Sequence, residues 1–207
     1  TSTLDSLITT NQKYYDSYDR SEYVGYTFTE ENQRGKTVAS NLKAQTDKWY
    51  NSNLANYASK IADGKYCNDR NVASGYSWSS QPSSTFYYAA KERLLQMPGL
   101  SCEVEDTYIL KIGAITSDEV MLAGARFGTV NNNYYLYNGQ YYWTMSPYSL
   151  LWNGKNRGAT ILYVGNTGHL RDSLASTDWG IRPVINLNPK VTFSGGNGTL
   201  NSPYIVI

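Results

Sequence analysis

The stretch Tyr134-Tyr135-Leu136-Tyr137-Asn138-Gly139-Gln140-Tyr141-Tyr142-Trp143-Thr144-Met145-Ser146-Pro147 decides the fold class. Two ring-rich runs, 134–137 and 140–145, flank Asn138-Gly139, a pair that accepts the left-handed backbone of a tight hairpin turn. The spacing predicts a β-hairpin here. Downstream, Thr160–Val164 and Ile181–Leu187 read as strands, and the glycines around Ser194–Thr199 as a small C-terminal hairpin. Upstream the pattern changes. Val38, Leu42, Thr46, Trp49, Tyr50 and Leu54 recur at helical spacing. Phe86–Gln96 is ambiguous, but Ala89–Leu95 favours a helix stopped by Pro98-Gly99. A strand over Tyr108–Ile115 runs into Thr116-Ser117-Asp118-Glu119, the spacing of a capping box, which predicts a helix ending at Gly124. Helices first and a contorted antiparallel sheet afterwards give an α+β domain.

The remaining segments read as connections. Residues 64–84 form a long Ser-rich loop with Gly75 and Pro82. Residues 1–35 are expected to be a polar N-terminal appendage with a short helix at Leu4–Gln12 and a strand at Tyr23–Phe28, leaving 36–207 as the domain proper. The opening Thr1–Asp5 carries neither the basic nor the apolar part of a signal peptide, so the expectation is of a leader trimmed or cleaved before it.

Composition narrows the function classes. Charged residues are 17% of the 207, below the ~25% of ordinary soluble domains, so Tyr, Asn, Ser and Thr must keep the surface wet. Twenty tyrosines stand against four phenylalanines. Tyr presents a large ring and a hydroxyl at low entropic cost, which suits extracellular contact. The net charge is +1 with no Lys/Arg run, which argues against a nucleic-acid partner, since phosphate binding needs clustered cations. No run approaches ~18 apolar residues, so no membrane span is expected.

Catalytic chemistry is sparsely represented. His169 is the single histidine, in the turn-like Asn166-Thr167-Gly168-His169, where an exposed turn residue is the simpler reading than a general base. Asp16 and Asp19 belong to a solvated tyrosine-rich segment. Gly195-Gly196-Asn197-Gly198 opens no helix and so reads as a hairpin rather than a phosphate cradle. Neither a nucleophile elbow nor a zinc or EF-hand pattern is present; no enzyme, cofactor or metal is expected. Cys67 and Cys102 fit no zinc or CxxC spacing. They are either two buried thiols or one disulfide; their polar, loop-like settings favour the disulfide and an oxidising compartment.

Tyr142-Trp143-Thr144-Met145-Ser146-Pro147, a diverse polar stretch, and then Gly180-Ile181-Arg182-Pro183-Val184-Ile185-Asn186-Leu187 resemble the end of a bacterial C-type-lectin-like domain. That fold is shared by formylglycine-generating enzymes and by the variable proteins of diversity-generating retroelements. Asp47-Lys48-Trp49-Tyr50, Tyr66-Cys67-Asn68-Asp69-Arg70 and Ile115-Thr116-Ser117-Asp118-Glu119-Val120 are similar to secreted or pilin-associated proteins of gut Firmicutes that carry such a domain. The resemblance covers roughly residues 36–207 and implies a fold with two main helices, an extracellular or cell-surface location, and scaffold roles for Trp143 and the Arg182-Pro183 strand.

The window between the two scaffold stretches, 148–179, would then face a ligand, a protein or other macromolecular surface. Its candidate contacts are Tyr148, Leu151, Trp152, Asn153, Asn156, Arg157, Ile161, Tyr163, Asn166, His169, Arg171, Asp172, Ser173, Ser176, Asp178 and Trp179, interleaved with framework positions Ala159, Leu162, Val164, Gly168 and Leu170. Aromatic, Asn and Arg side chains on strands and turns are what a paratope uses, although Trp152 and Trp179 could each equally be core. Alternation along Thr160–Val164 places Leu162 and Val164 on a core face and Ile161 with Tyr163 at the surface. Departures from the family limit what carries over. Gln81-Pro82-Ser83 and Trp152-Asn153-Gly154 lack acids that a calcium–sugar site uses, and both cysteines lie upstream of where formylglycine-generating enzymes place theirs. The leading expectation is therefore a ligand-binding protein with a diversified surface. A structural pilus or surface-tip subunit is the alternative, and a formylglycine-generating-type oxidase a distant third.

Overall fold

The computed structural model describes residues 2–3, 7–199 and 201–207. Its main sheet has six strands: β1 (Thr9–Lys13), β2 (Phe86–Tyr87), β3 (Tyr142–Trp152), β4 (Arg157–Val164), β5 (Leu170–Leu174) and β6 (Asp178–Ile181). Their order is β5-β4-β3-β6-β1, with β2 along the far end of β3. A second sheet gathers Ser2–Thr3, Ile61–Ala62 and Ile112–Ala114 onto β7 (Pro183–Leu187). Three α-helices, α1 (Asn41–Asn53), α2 (Ala90–Leu95) and α3 (Ser117–Ala123), complete an α+β arrangement. Only α1 is long, so the expectation of two main helices is replaced by one long helix and two short ones. The sheet is mixed rather than wholly antiparallel, because β3 and β6 meet in parallel at Tyr142↔Gly180.

Local chemistry explains the helices. Ser40 Oγ accepts from Lys43 N–H at the start of α1, which satisfies one of the donors left over at a helix start. Leu42 and Thr46 form its buried face. At α3 the capping box closes in both directions, Thr116 Oγ1 accepting from Glu119 N–H and the Glu119 carboxylate accepting from Thr116 N–H. Gly124 ends the helix at φ 129°, a backbone that a side chain would strain.

The stretch Trp143–Pro147 connects everything else. The Trp143 indole is fully buried and donates Nε1–H to the Gln12 carbonyl, 2.7 Å away. Next, Thr144 Oγ1 donates to the Leu162 carbonyl and Met145 N–H to the Ile115 carbonyl, while Ser146 Oγ accepts from Ser117 N–H at the start of α3. The β3–β4 register shifts on both sides of Pro147, where a residue without an N–H belongs at a bulge. Gly180 passes so close to β3 that an added Cβ would lie 2.6 Å from the Tyr141 carbonyl oxygen. The buried Arg182 donates to the Leu136 carbonyl and to the Tyr142 hydroxyl. Both stretches are therefore framework.

Five expectations are corrected. The described part of the expected 1–35 appendage belongs to the domain: β1 pairs with β6, and Tyr14, Tyr15, Val24 and Tyr26 lie in the main core. The expected helix over 4–12 begins at residues 4–6, outside the described residues, and from Thr9 the chain is strand. Over 23–28 only Thr27–Phe28 is strand, after a 3-10 turn at Ser21–Val24. The Asn138-Gly139 hairpin does not form, since the described strand begins at Tyr142. Asn138 Oδ1 does accept from Gln140 N–H and Gly139 has φ 71°, so the turn exists. Its upstream arm is diverted instead: the Tyr134 and Tyr137 hydroxyls donate to the Gly168 and Asn166 carbonyls, and Leu136 is buried. Within the loop expected over 64–84, Gly64–Cys67 is a strand paired with Thr107–Leu110.

Cys67 and Cys102 form a disulfide. Intact-mass analysis after native alkylation is expected to find no reactive thiol, and reduction to lower stability by at most about 4 kcal/mol, the chain-entropy value for a loop of this length. The framework assignment carries its own test by thermal denaturation. Trp143→Ala is expected to cost about 3–5 kcal/mol through the cavity it leaves. Arg182→Ala should cost about 1–3 kcal/mol or more by stranding the Leu136 carbonyl. Exposed Arg171→Gln should stay within about 0.5 kcal/mol, and a larger loss there than at Trp143 would reverse the assignment.

Candidate functional site

Strand alternation builds the site. Trp143 faces Tyr163, and Tyr163 faces Arg171, across neighbouring strands. Tyr141 lies two residues before Trp143, and Trp179 one residue before the Gly180 that pairs with Tyr142. With side chains alternating faces, Trp179, Tyr141, Tyr163 and Arg171 form one row across the sheet. The rings confirm the row. Trp179 stacks on Tyr141 at 4.5 Å and 13°, and on Tyr163 at 5.1 Å and 27°. The two tyrosines are 6.1 Å apart, too close for them to sit on opposite faces of the indole, so both lie on the same side of it. His169 closes the row edge-on to Tyr163 at 6.3 Å.

Arg171, on the Tyr163 face, is exposed, while Tyr141, Tyr163, His169 and Trp179 are half-buried; Asp178 is exposed but immediately precedes Trp179 in β6 and so points to the other face. His169 Nδ1 shares a hydrogen bond with Thr167 Oγ1, and burial, with a contribution from Arg171, lowers its pKa. The imidazole therefore stays neutral at pH 7 and acts as a ring with a hydrogen-bonding edge. Burial raises the Tyr163 phenol, Tyr141 adds to the rise and Arg171 opposes it. Beside Trp179 and Tyr141 lies a groove of about 300 Å³, whose walls include Leu7, Asn11, Gln140 and Asp178.

The other candidates fall elsewhere. Arg157 Nε donates to the Pro82 carbonyl and the guanidinium lies 5.1 Å over the Trp152 ring. Arg157 is six residues along β4 from Tyr163, about 20 Å of strand. Leu151, Asn153 and Asn156 are exposed at that end, where Asn153 Oδ1 accepts from Lys155 and Asn156 N–H to shape the β3–β4 turn. Tyr148 stacks on Phe127 and meets Tyr87. Burial pushes its phenol up to about 12, and Asp172 adds to the rise. Asp172 pairs with Leu162 and so faces away from the Tyr163 row. Ser173 donates to Thr177 Oγ1; Ser176 is half-buried in the β5–β6 turn, and Asn166 is exposed in the β4–β5 turn.

Ile161 is a correction. It shares the Tyr163 face but is fully buried, in one cluster with Tyr14 and Tyr15. Tyr14 and Tyr15 N–H donate to the Ala175 carbonyl and Ala159 N–H to the Tyr18 carbonyl, so residues 14–18 run over the middle of that face. The window therefore splits into the ring row, the Trp152–Arg157 corner and the Tyr148 cluster on the opposite face, not one continuous patch. The framework positions Ala159, Leu162, Val164, Gly168 and Leu170 are buried as expected.

Tyr141, Leu7, Asn11 and Gln140 were missed because they precede the window, the first and last lying in the quoted stretch itself. Tyr141 had a usable signal, since it shares a face with Trp143 by alternation. Among the described residues no group of His, Cys, Asp and Glu is arranged to hold a metal ion. Comparison of the chain with protein-family models, with curated proteins and with solved structures finds no match.

Asp172 yields a pH test. Burial raises its pKa above the ordinary carboxylate value, with smaller opposing contributions that include a Thr160 hydrogen bond. The folded state then favours the protonated form, so the cost of the charge is absent below the unfolded pKa of about 3.9 and complete above the folded one. Asp172→Asn should melt with the parent near pH 3 and above it at pH 7. Equal midpoints at both values would mean the carboxylate is not penalised by its surroundings.

Proposed function

We propose that the protein is an extracellular ligand-binding protein that recognises a protein or other macromolecular surface through the ring row of Trp179, Tyr141 and Tyr163. The single observation carrying this reading is the stack itself: an indole and two tyrosine rings, all partly exposed, packed on one another over a hydrogen-bonded sheet, with Arg171 exposed on the same face. Rigid aromatic groups with polar margins are the usual centres of recognition surfaces, and a site mounted on strands loses little order when a ligand docks. The Cys67–Cys102 bond supports an oxidising location outside the cell. No helix among the described residues is long and apolar enough to cross a membrane, which is compatible with that location. A diversified surface of the retroelement type remains part of the proposal, placed at the row and its flanking turns.

A subunit role in a surface assembly is the second reading. It is favoured by the C-terminal hairpin of Phe193–Gly195 with Ile205–Val206, where Phe193, Tyr204, Ile205 and Ile207 are all more than half exposed. An oxidase of the formylglycine-generating type has no support from the cysteines, since both sulfurs are spent in one bond.

Binding of the labelled protein to an array of extracellular protein ectodomains and immobilised oligosaccharides tests the first reading. Any specific partner should lose roughly tenfold or more in affinity with Trp179→Ala or Arg171→Ala, the loss expected of central ring and polar contacts. Substitutions at the Trp152–Arg157 corner should leave it within about twofold, as peripheral contacts do. Binding that follows the corner or the C-terminal hairpin instead overturns this placement of the site.

A further inference from the structure

A second cavity shares no residue with the ring row. It holds about 210 Å³ and lies where the start of α3 meets β7 and the strand Gly64–Cys67. One wall is the segment Gly99–Ser101, which is held at both ends: Gly99 N–H donates to Asp118 Oδ1 at 2.9 Å, and the adjoining Cys102 is bonded to Cys67. The side chains of the opposite wall are fixed as well. Tyr66 donates to the Val184 carbonyl at 2.8 Å and accepts from the Asn186 amide at 3.4 Å. A Cβ at Gly113 would overlap the Tyr66 ring, and one at Gly64 the Asn186 amide, so both side chains occupy space that only glycine leaves. A cavity walled in this way is pre-formed rather than moulded by a ligand.

Most of its charged groups are already committed. Arg93 donates Nε to Asp118 Oδ1 at 2.7 Å and Nη2 to Asp69 Oδ2 at 2.6 Å, one cation between two anions. Glu119 differs. Its Oε2 accepts from Thr116 N–H and Oγ1–H in the capping box, while Oε1 has no hydrogen-bonded partner among the described residues. Burial raises the Tyr66 phenol and the Glu119 carboxylate adds to the rise, so that charge is felt across the cavity. In total the described lining sets three carboxylates, Asp69, Asp118 and Glu119, against Arg93 and an exposed Lys65, a balance that favours a cation. Ser146 is the second uncommitted group. It is buried, its Oγ accepts from Ser117 N–H at 2.9 Å, and its own proton has no acceptor among the described residues.

These two groups select the ligand. A single open carboxylate oxygen cannot take a guanidinium in its preferred two-bond fork, and hard metal ions need several converging oxygens. An ammonium is compact and carries three donors, which suits one open carboxylate oxygen beside hydroxyl and amide groups. The Ser146 proton asks for an acceptor oxygen on the same molecule. The volume is below that of clefts for drug-sized ligands. We infer that this cavity binds a small amino alcohol, its ammonium paired with Glu119 and its hydroxyl oxygen accepting from Ser146.

The test is calorimetric titration of the intact disulfide-bonded protein, in amine-free buffer at pH 7, with ethanolamine, aminopropanol and serinol, each beside its N-acetyl derivative. At least one amine is expected to bind, and its uncharged N-acetyl derivative to bind roughly tenfold or more weakly. Propylamine, which lacks the hydroxyl, should bind more weakly than aminopropanol. Glu119→Gln should weaken the amine by roughly tenfold or more while keeping the thermal midpoint near that of wild type, because Gln serves a capping box as Glu does. Trp179→Ala should leave amine binding unchanged, since the ring row takes no part in the lining. Absence of binding by all three amines overturns the inference. So do an N-acetyl derivative or propylamine that binds as tightly as its amino-alcohol counterpart, and a folded Glu119→Gln protein that binds as wild type does.

Discussion

The hydrogen bond from the Trp143 indole to the Gln12 carbonyl ties the N-terminal segment to the centre of the sheet. Trp143 sits where β3, β4 and the N-terminal chain converge, edge-on to Tyr14 at 5.7 Å and to Tyr163 at 6.4 Å. Its N–H is buried, so an unmatched donor there would carry a desolvation cost of about 1–3 kcal/mol. Gln12 in turn is the strand partner of Trp179. The same contact that seals the core therefore sets the position of the indole at the candidate site. Without it β1 would be held to the sheet by its ladder with β6 alone.

The residues after Trp143 extend this logic outward. Thr144, Met145 and Ser146 each spend a polar atom on a different element: β4, the strand before α3, and the first turn of α3. At the same end of β3, Arg182 bridges the Leu136 carbonyl and the Tyr142 hydroxyl from a fully buried position. A buried guanidinium is tolerable only with its donors matched, which is why the chain over 134–137 is held against this face rather than pairing as a strand. The same requirement that builds the framework removes the hairpin that Asn138-Gly139 would otherwise favour.

The parts legible in the sequence were those governed by local chemistry. The capping box at Thr116, the helix through Leu42 and Thr46 (though not its expected start at Val38, which is strand) and the strands from Tyr142 and through Thr160–Val164 follow from spacing or a short pattern, while the framework roles of Trp143 and Arg182 were what the family resemblance implied. What escaped depended on distant partners. Nothing local in Tyr14 or Tyr15 says that their N–H groups will meet Ala175, yet that contact helps make residues 7–35 integral to the domain, and Ile161 is buried in the same cluster. Alternation correctly put Ile161 and Tyr163 on one face; it carried no information about a second layer of chain crossing only the middle of that face. The candidate window was half legible for the same reason. Its ring and charge content was visible, but its division into three groups is a consequence of topology.

That division constrains where recognition can operate. Along β4, residues 14–18 cover the middle of the Tyr163 face, so side chains emerge only at the two ends. At the Arg157 end, the guanidinium and the Asn153 amide are engaged with backbone of neighbouring loops and the local turn. Their substitution would disturb the chain path before it altered a ligand contact. At the Tyr163 end the rings are fixed by stacking on one another, while Arg171 extends from a strand whose backbone bonds are independent of its side chain. Order from the sheet and freedom at the rim coincide at that end alone. A surface that must vary in sequence and still fold would place its variation there: changes at Arg171 leave the Trp143–Gln12 and Arg182–Leu136 contacts untouched, and those contacts hold the stage on which the rings stand.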